Sequence, residues 1–123
     1  MNGKELLEKC PKAAEVIKQW YIAKMKADNL EFSNEFVNVM QEKIGRIIID
    51  NNPRELFDVL DDNKIYINMY MGMGMEKDTV IFSYKIISSN YINTEEPIWY
   101  SYRKEAEKQA IIDAVTLLDN KLS

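Results

Sequence analysis

The sequence predicts an α+β domain, 1–123: helices in 1–62, then a three-stranded antiparallel β-meander and a C-terminal helix packed on the sheet in 63–123. Three observations carry that prediction. Ala106, Ala110, Ile111, Ala114, Leu117, Leu118 and Leu122 recur at steps of three and four, which places them on one helix face. From Lys64 to Tyr70 the period drops to two, with Ile65, Ile67 and Met69 alternating against Tyr66, Asn68 and Tyr70. Thr79 to Ile87 is crowded with β-branched and aromatic residues, including Phe82 and Tyr84, as a strand requires. With 46% hydrophobic residues, 123 residues suffice for one buried core.

The elements follow in order. Residues 3–9 form a short helix with Leu6 and Leu7 as its apolar positions. Cys10 precedes Pro11, and a residue before proline is pushed out of the helical region, so the helix breaks there. Pro11 opens a second helix, where its missing N–H costs nothing. That helix runs to about Ala27, with Val16, Ile17, Trp20, Tyr21 and Ala23 facing inward and Lys12, Lys18, Lys24 and Lys26 facing water. Ser33 is the N-cap of a third helix with Phe36, Val37, Met40, Ile44, Ile47 and Ile48 on one side. Asn52, Pro53 and Glu55 make a capping-box start for a fourth, whose apolar side is Leu56, Phe57, Val59 and Leu60. Strands are expected at 64–70, 79–87 and 97–102, with Gly72 and Gly74 in the first connection and a polar link over 88–96. Pro97 stands at the start of the third strand, where proline is tolerated. Short connections favour antiparallel pairing.

Composition narrows the function. The net charge is −4, and no segment holds a strong basic excess: residues 1–28 carry +2, 29–63 carry −5, 64–102 carry −1 and 103–123 balance at zero. Net charge therefore gives nucleic-acid binding no support, although local basic edges remain. The single cysteine, Cys10, has no partner for an internal disulfide, which fits a reducing compartment. The N-terminus has no apolar signal-peptide core, and no apolar run approaches membrane-spanning length. The expectation is a cytoplasmic protein with no membrane association. Histidine is absent, so the commonest general base and metal ligand are missing.

Several stretches carry chemistry on paper. Met69, Met71, Met73 and Met75 offer soft thioethers of the kind that suit Cu(I), but methionines also fill irregular gaps and partner surfaces, and no His or Cys lies nearby. Gly72 and Gly74 lack the Gly-Lys-Ser/Thr step of a phosphate loop. Cys10 has no histidine to deprotonate it, so a structural role is expected. Asp58, Asp61 and Asp62 lack calcium-loop spacing and read as a solvated turn. Glu95 and Glu96 read as an exposed loop. No catalytic, metal or cofactor residues are assigned, and no cofactor is expected. Trp99, Tyr100 and Tyr102, with Tyr66, Tyr70, Tyr84 and Tyr91, make an aromatic sheet. One face is expected in the core, and tyrosines left exposed on the other suit a protein interface such as a homodimer.

Two resemblances add to this. The aromatic strand and basic step leading into Glu105–Leu118 resemble the C-terminal end of many small uncharacterised phage and prophage proteins. Residues 53–122 also resemble the double-stranded RNA-binding domain, which runs helix, three antiparallel strands, helix. Arg103 and Lys104 fall on the two leading lysines of that family's last helix, with Ala106 and Ala110 on its alanines. Glu107 departs by charge, Ile111 replaces an alanine, and the Gly-Pro-x-His step is missing. The resemblance implies basic residues that straddle phosphates at a helix N-terminus.

The expectation is a small non-enzymatic interaction protein of phage or mobile-element origin that binds a protein partner or self-associates. The alternative is a nucleic-acid-binding module, and the third reading is a metal-dependent enzyme using carboxylates. The candidate contact residues for a partner or nucleic acid are Trp99, Tyr100, Arg103, Lys104 and Lys108.

Overall fold

The structure, a computed structural model, describes residues 2–27, 50, 53–76, 78–89, 91–92 and 97–123. The expected helix with Ser33 as its cap, and the Asn52 cap, lie outside the described residues. The architecture is α+β, with helices laid against one face of an antiparallel β-ribbon.

Helix α1, Gly3–Lys9, starts at Asn2, whose Oδ1 accepts the Glu5 N–H at 2.9 Å and so satisfies one orphan donor of the first turn. It ends at Cys10 (φ −122°, ψ 66°), the non-helical conformation that the following proline enforces. Helix α2, Pro11–Ala27, begins as expected with proline in its first position. Cys10 has no side-chain oxygen with which to cap it. Asp119, far along the chain, takes that role: its Oδ1 accepts the N–H of Lys12 at 2.9 Å and of Ala13 at 3.1 Å.

Helix α3 is Pro53–Asp62. The turn after it uses Lys64 at φ 61°, and the Asn63 side chain donates to the Val59 carbonyl at 2.8 Å. Strand β1, Ile65–Met73, pairs antiparallel with β2, Val80–Ser88, in a register running from Ile65–Ser88 to Met73–Val80. A tight connection joins them, in which the Gly74 N–H donates to the Thr79 carbonyl at 3.0 Å. The sequence placed a loop from Gly72. The strand continues through it, because the alternation of Met69, Met71 and Met73 is unbroken and Gly72 lies under the Trp99 ring.

The expected third strand over Pro97–Tyr102 is corrected. A two-residue strand, β3 (Tyr91–Ile92), pairs with Ile87 and Ser88 at the far edge of β2, inside the expected polar link. Of 97–102 only Tyr100 pairs, in an isolated bridge with Phe82. Nine residues separate Tyr91 from Tyr100 while six separate Ser88 from Phe82, so the two pairings cannot share one ladder. Ser83 explains part of the departure. Its buried hydroxyl donates to the Ile98 carbonyl at 2.8 Å, so that carbonyl bonds to a side chain.

Helix α4, Arg103–Lys121, packs on β2, β1, α2 and α3. Ala106, Ala110 and Ala114 are fully buried, and their small side chains allow the sheet close approach. Ala114, with Ile111, Val115 and Leu118, joins Leu6, Ala13, Ile17, Leu56, Val59, Leu60, Ile65 and Ile86 in the core. The predicted face was right in its centre and wrong at its margins. Val115 is buried, Leu122 is exposed, and Glu107 is buried although charged.

Candidate functional site

Pairing fixes which residues of the ribbon share a face. Direct partners in an antiparallel ladder project to the same side. Ile65, Ile67, Met69, Met71 and Met73 therefore share the helix-covered side with Ser88, Ile86, Tyr84, Phe82 and Val80. Tyr66, Asn68, Tyr70 and Gly72 share the other with Ile87, Lys85, Ser83 and Ile81.

Burial fades along the helix-covered side. Ile65 and Ile86 are buried, Ile67, Met69, Tyr84 and Phe82 are half-buried, and Val80 is exposed. Met71 is 68% and Met73 80% exposed. Among the described residues the helical layer thus stops partway along the ribbon, short of Met71 and Met73. Met75 in the connection is also exposed, as are Ile98 and Tyr102 on either side of the Phe82–Tyr100 bridge. These side chains form the main apolar exposure of the ribbon among the described residues. The sequence held the signal in the continued alternation through Met71 and Met73. A loop expected at Gly72 concealed it.

The opposite face is partly covered. Trp99 lies across it, edge-on to Tyr70 at 5.5 Å between ring centroids, and a Cβ built on Gly72 would stand 2.9 Å from its ring. Tyr66 and Ile87 remain exposed on this face.

The five sequence candidates do not form one surface. Trp99 sits on the open face. Tyr100 is half-buried on the helix side, stacked on Tyr84 at 6.5 Å. Arg103 is committed within the molecule: its Nε lies 3.4 Å from Glu107 Oε1, and Arg54 donates to that same oxygen at 3.3 Å. Glu107, read in the sequence as a departure from a basic pattern, is thus the buried acceptor that ties α4 to α3. Lys104 and Lys108 are exposed one turn apart near the start of α4.

Several polar side chains pair within the molecule. Tyr84 donates its hydroxyl to Asp113, which also accepts from Gln109 at 2.9 Å. Burial, then this bond to a carboxylate, pushes the Tyr84 phenol far above its ordinary range. Cys10 is buried with Thr116 Oγ1 at 4.0 Å from its sulfur. Desolvation raises its thiol pKa, which opposes a nucleophilic role. Asp61 is raised by desolvation and by the neighbouring Asp58 and Asp62. Asp62 accepts the Trp20 indole N–H at 2.7 Å, tying α2 to the end of α3. Among the described residues no group of three or more acidic or cysteine side chains is placed to hold a metal ion, and no helix is long and apolar enough to cross a membrane.

No protein-family model matches the chain, and no curated protein or solved structure matches it.

Proposed function

We propose that this chain is a small non-enzymatic interaction protein that docks a protein partner through the outer half of the β1–β2 ribbon. The exposure of Met71 and Met73 beyond the helical layer supports this reading. Unbranched thioether side chains adapt to a partner's contours, and burying them on association contributes roughly 25 cal/mol per Å² of apolar area. A phage or mobile-element setting rests on the resemblance of α4 to the ends of such proteins. A photo-crosslinking residue at position 73, with one at position 108 as control, tests the reading in cells. Protein adducts at 73 and few at 108 are expected. Adducts at 108 with none at 73 would overturn it.

A nucleic-acid-binding role is the second reading, favoured by the exposure of Lys104 and Lys108 on adjacent turns. Anisotropy titrations against short duplex RNA, duplex DNA and single strands are expected to show no binding at low salt. Binding that weakens steeply with salt and is lost in Lys104→Glu/Lys108→Glu would replace the first reading with this one.

A further inference from the structure

We infer that β1 is a self-pairing edge, and that two copies of this chain join β1 to β1 in an antiparallel, two-fold arrangement centred near Met69. The inference rests on the interaction reading above and names its first partner, a second copy.

Among the described residues the strand order is β1-β2-β3, so β1 forms an edge of the sheet. Phe82 exchanges both backbone bonds with Tyr100 on the far side of β2, while the Gly74 N–H bonds to Thr79 within the β1–β2 ladder. Antiparallel ladders alternate strictly. Tyr66, Asn68, Tyr70 and Gly72 therefore spend their backbone groups on β2. Ile67, Met69, Met71 and Met73 turn theirs toward the open edge. None of these four has another backbone partner among the described residues.

Natural edge strands are protected by charge, proline, bulges or brevity. This one has nine residues, no charged side chain, no proline and an unbroken register with β2. Its pattern also complements itself. A two-fold axis at Met69 sets Met69 opposite Met69, Ile67 opposite Met71, and Ile65 opposite Met73 of the second copy. Each of these is a hydrogen-bonding pair, because the outward-turned residues all meet outward-turned residues. No like charges oppose each other. The same residues carry the apolar side chains of the helix-covered side, so Met71 and Met73 gain neighbours from the core end of the second copy's β1. An unrelated extended peptide would satisfy the edge but would owe nothing to this symmetry.

Sedimentation across concentration, read with amide hydrogen exchange on the full chain, tests the inference. The wild type is expected at twice 14.4 kDa, with the amides of Ile67, Met69 and Met71 protected at high concentration and released on dilution. Met71→Lys sets a charged side chain opposite Ile67 of the second copy, on both sides of the axis and at an edge otherwise free of charge, and is expected to weaken association by about a hundredfold. Met69→Pro removes an outward N–H without touching the β1–β2 ladder, and is expected to give a folded monomer. A wild type that stays monomeric at every concentration overturns the inference. So does a dimer that survives Met71→Lys with those amides exchanging freely. Cross-links from position 73 to other proteins in a monomeric chain would overturn self-pairing while leaving the interaction reading intact.

Discussion

Asp119 shows how much a single residue's meaning depends on distance along the chain. In its own helix it is misplaced, since a carboxylate in the last turn of α4 meets the negative end of the helix dipole. In space it stands at the start of α2 and accepts two of its unsatisfied N–H groups. Asp119→Ala should therefore destabilise the fold by about 1 kcal/mol, or roughly 4 °C in Tm, while Asp119→Asn keeps most of the cap. Thermal unfolding of the pair checks this, and equal losses in both would assign the effect to charge alone. Tyr84→Phe should cost about 1–2 kcal/mol through loss of the bond to Asp113. Gln109 continues to donate to that carboxylate in the variant, which limits the damage.

At the scale of elements, the ribbon and its crossing segment are the informative case. Gly72 sits where a side chain would strike the Trp99 ring. Gly72→Val sets two effects in opposition. A β-branched residue favours the strand by up to about 1 kcal/mol, whereas displacing Trp99 from Tyr70 forfeits an aromatic pair of about 0.5–1.5 kcal/mol. Net stability should change little, but Trp99 should move into water. Tryptophan emission, recorded with Trp20→Phe as background, should shift to the red. An unshifted spectrum would mean that Trp99 does not cover the glycine in solution. The helical elements, by contrast, were legible. The Cys10–Pro11 break, the Pro53 start and the face of α4 centred on Ala110 and Ile111 all follow from local sterics and periodicity.

For the whole molecule, two proton donors with raised pKa values, Cys10 and Tyr84, set a direction for pH dependence. Cys10 and Tyr84 are both raised above their ordinary values of 9.0 and 10.0. In the unfolded chain each loses its proton near the ordinary value, while the folded chain still holds it. Their contribution is therefore complete below about pH 9 and declines as pH rises, first through Cys10 and then, above 10, through Tyr84. Urea unfolding between pH 8 and 11 should show stability falling more steeply in the wild type than in Tyr84→Phe above pH 10. Parallel curves would contradict a raised Tyr84 phenol. The same burial predicts slow alkylation of Cys10 in the folded protein and fast alkylation in urea.

By itself, the sequence determined what depends on near neighbours: an α+β class, the α1–α2 break, the alternation that makes β1 and β2, and the apolar stripe of α4. Proline sterics, a period of two and a period of three to four act within a few residues, so they can be read without knowing what lies across the fold. Tertiary structure decided the rest. It placed Asp119 at a distant helix start, turned Glu107 inward between Arg54 and Arg103, and bonded the Ile98 carbonyl to the Ser83 side chain. Among the described residues it also ended the helical layer partway along the ribbon, so that Met69 is half covered and Met73 is exposed. These are matters of which groups meet after the chain has closed. A hydrogen bond or a covering helix supplied from dozens of residues away leaves no local period to read.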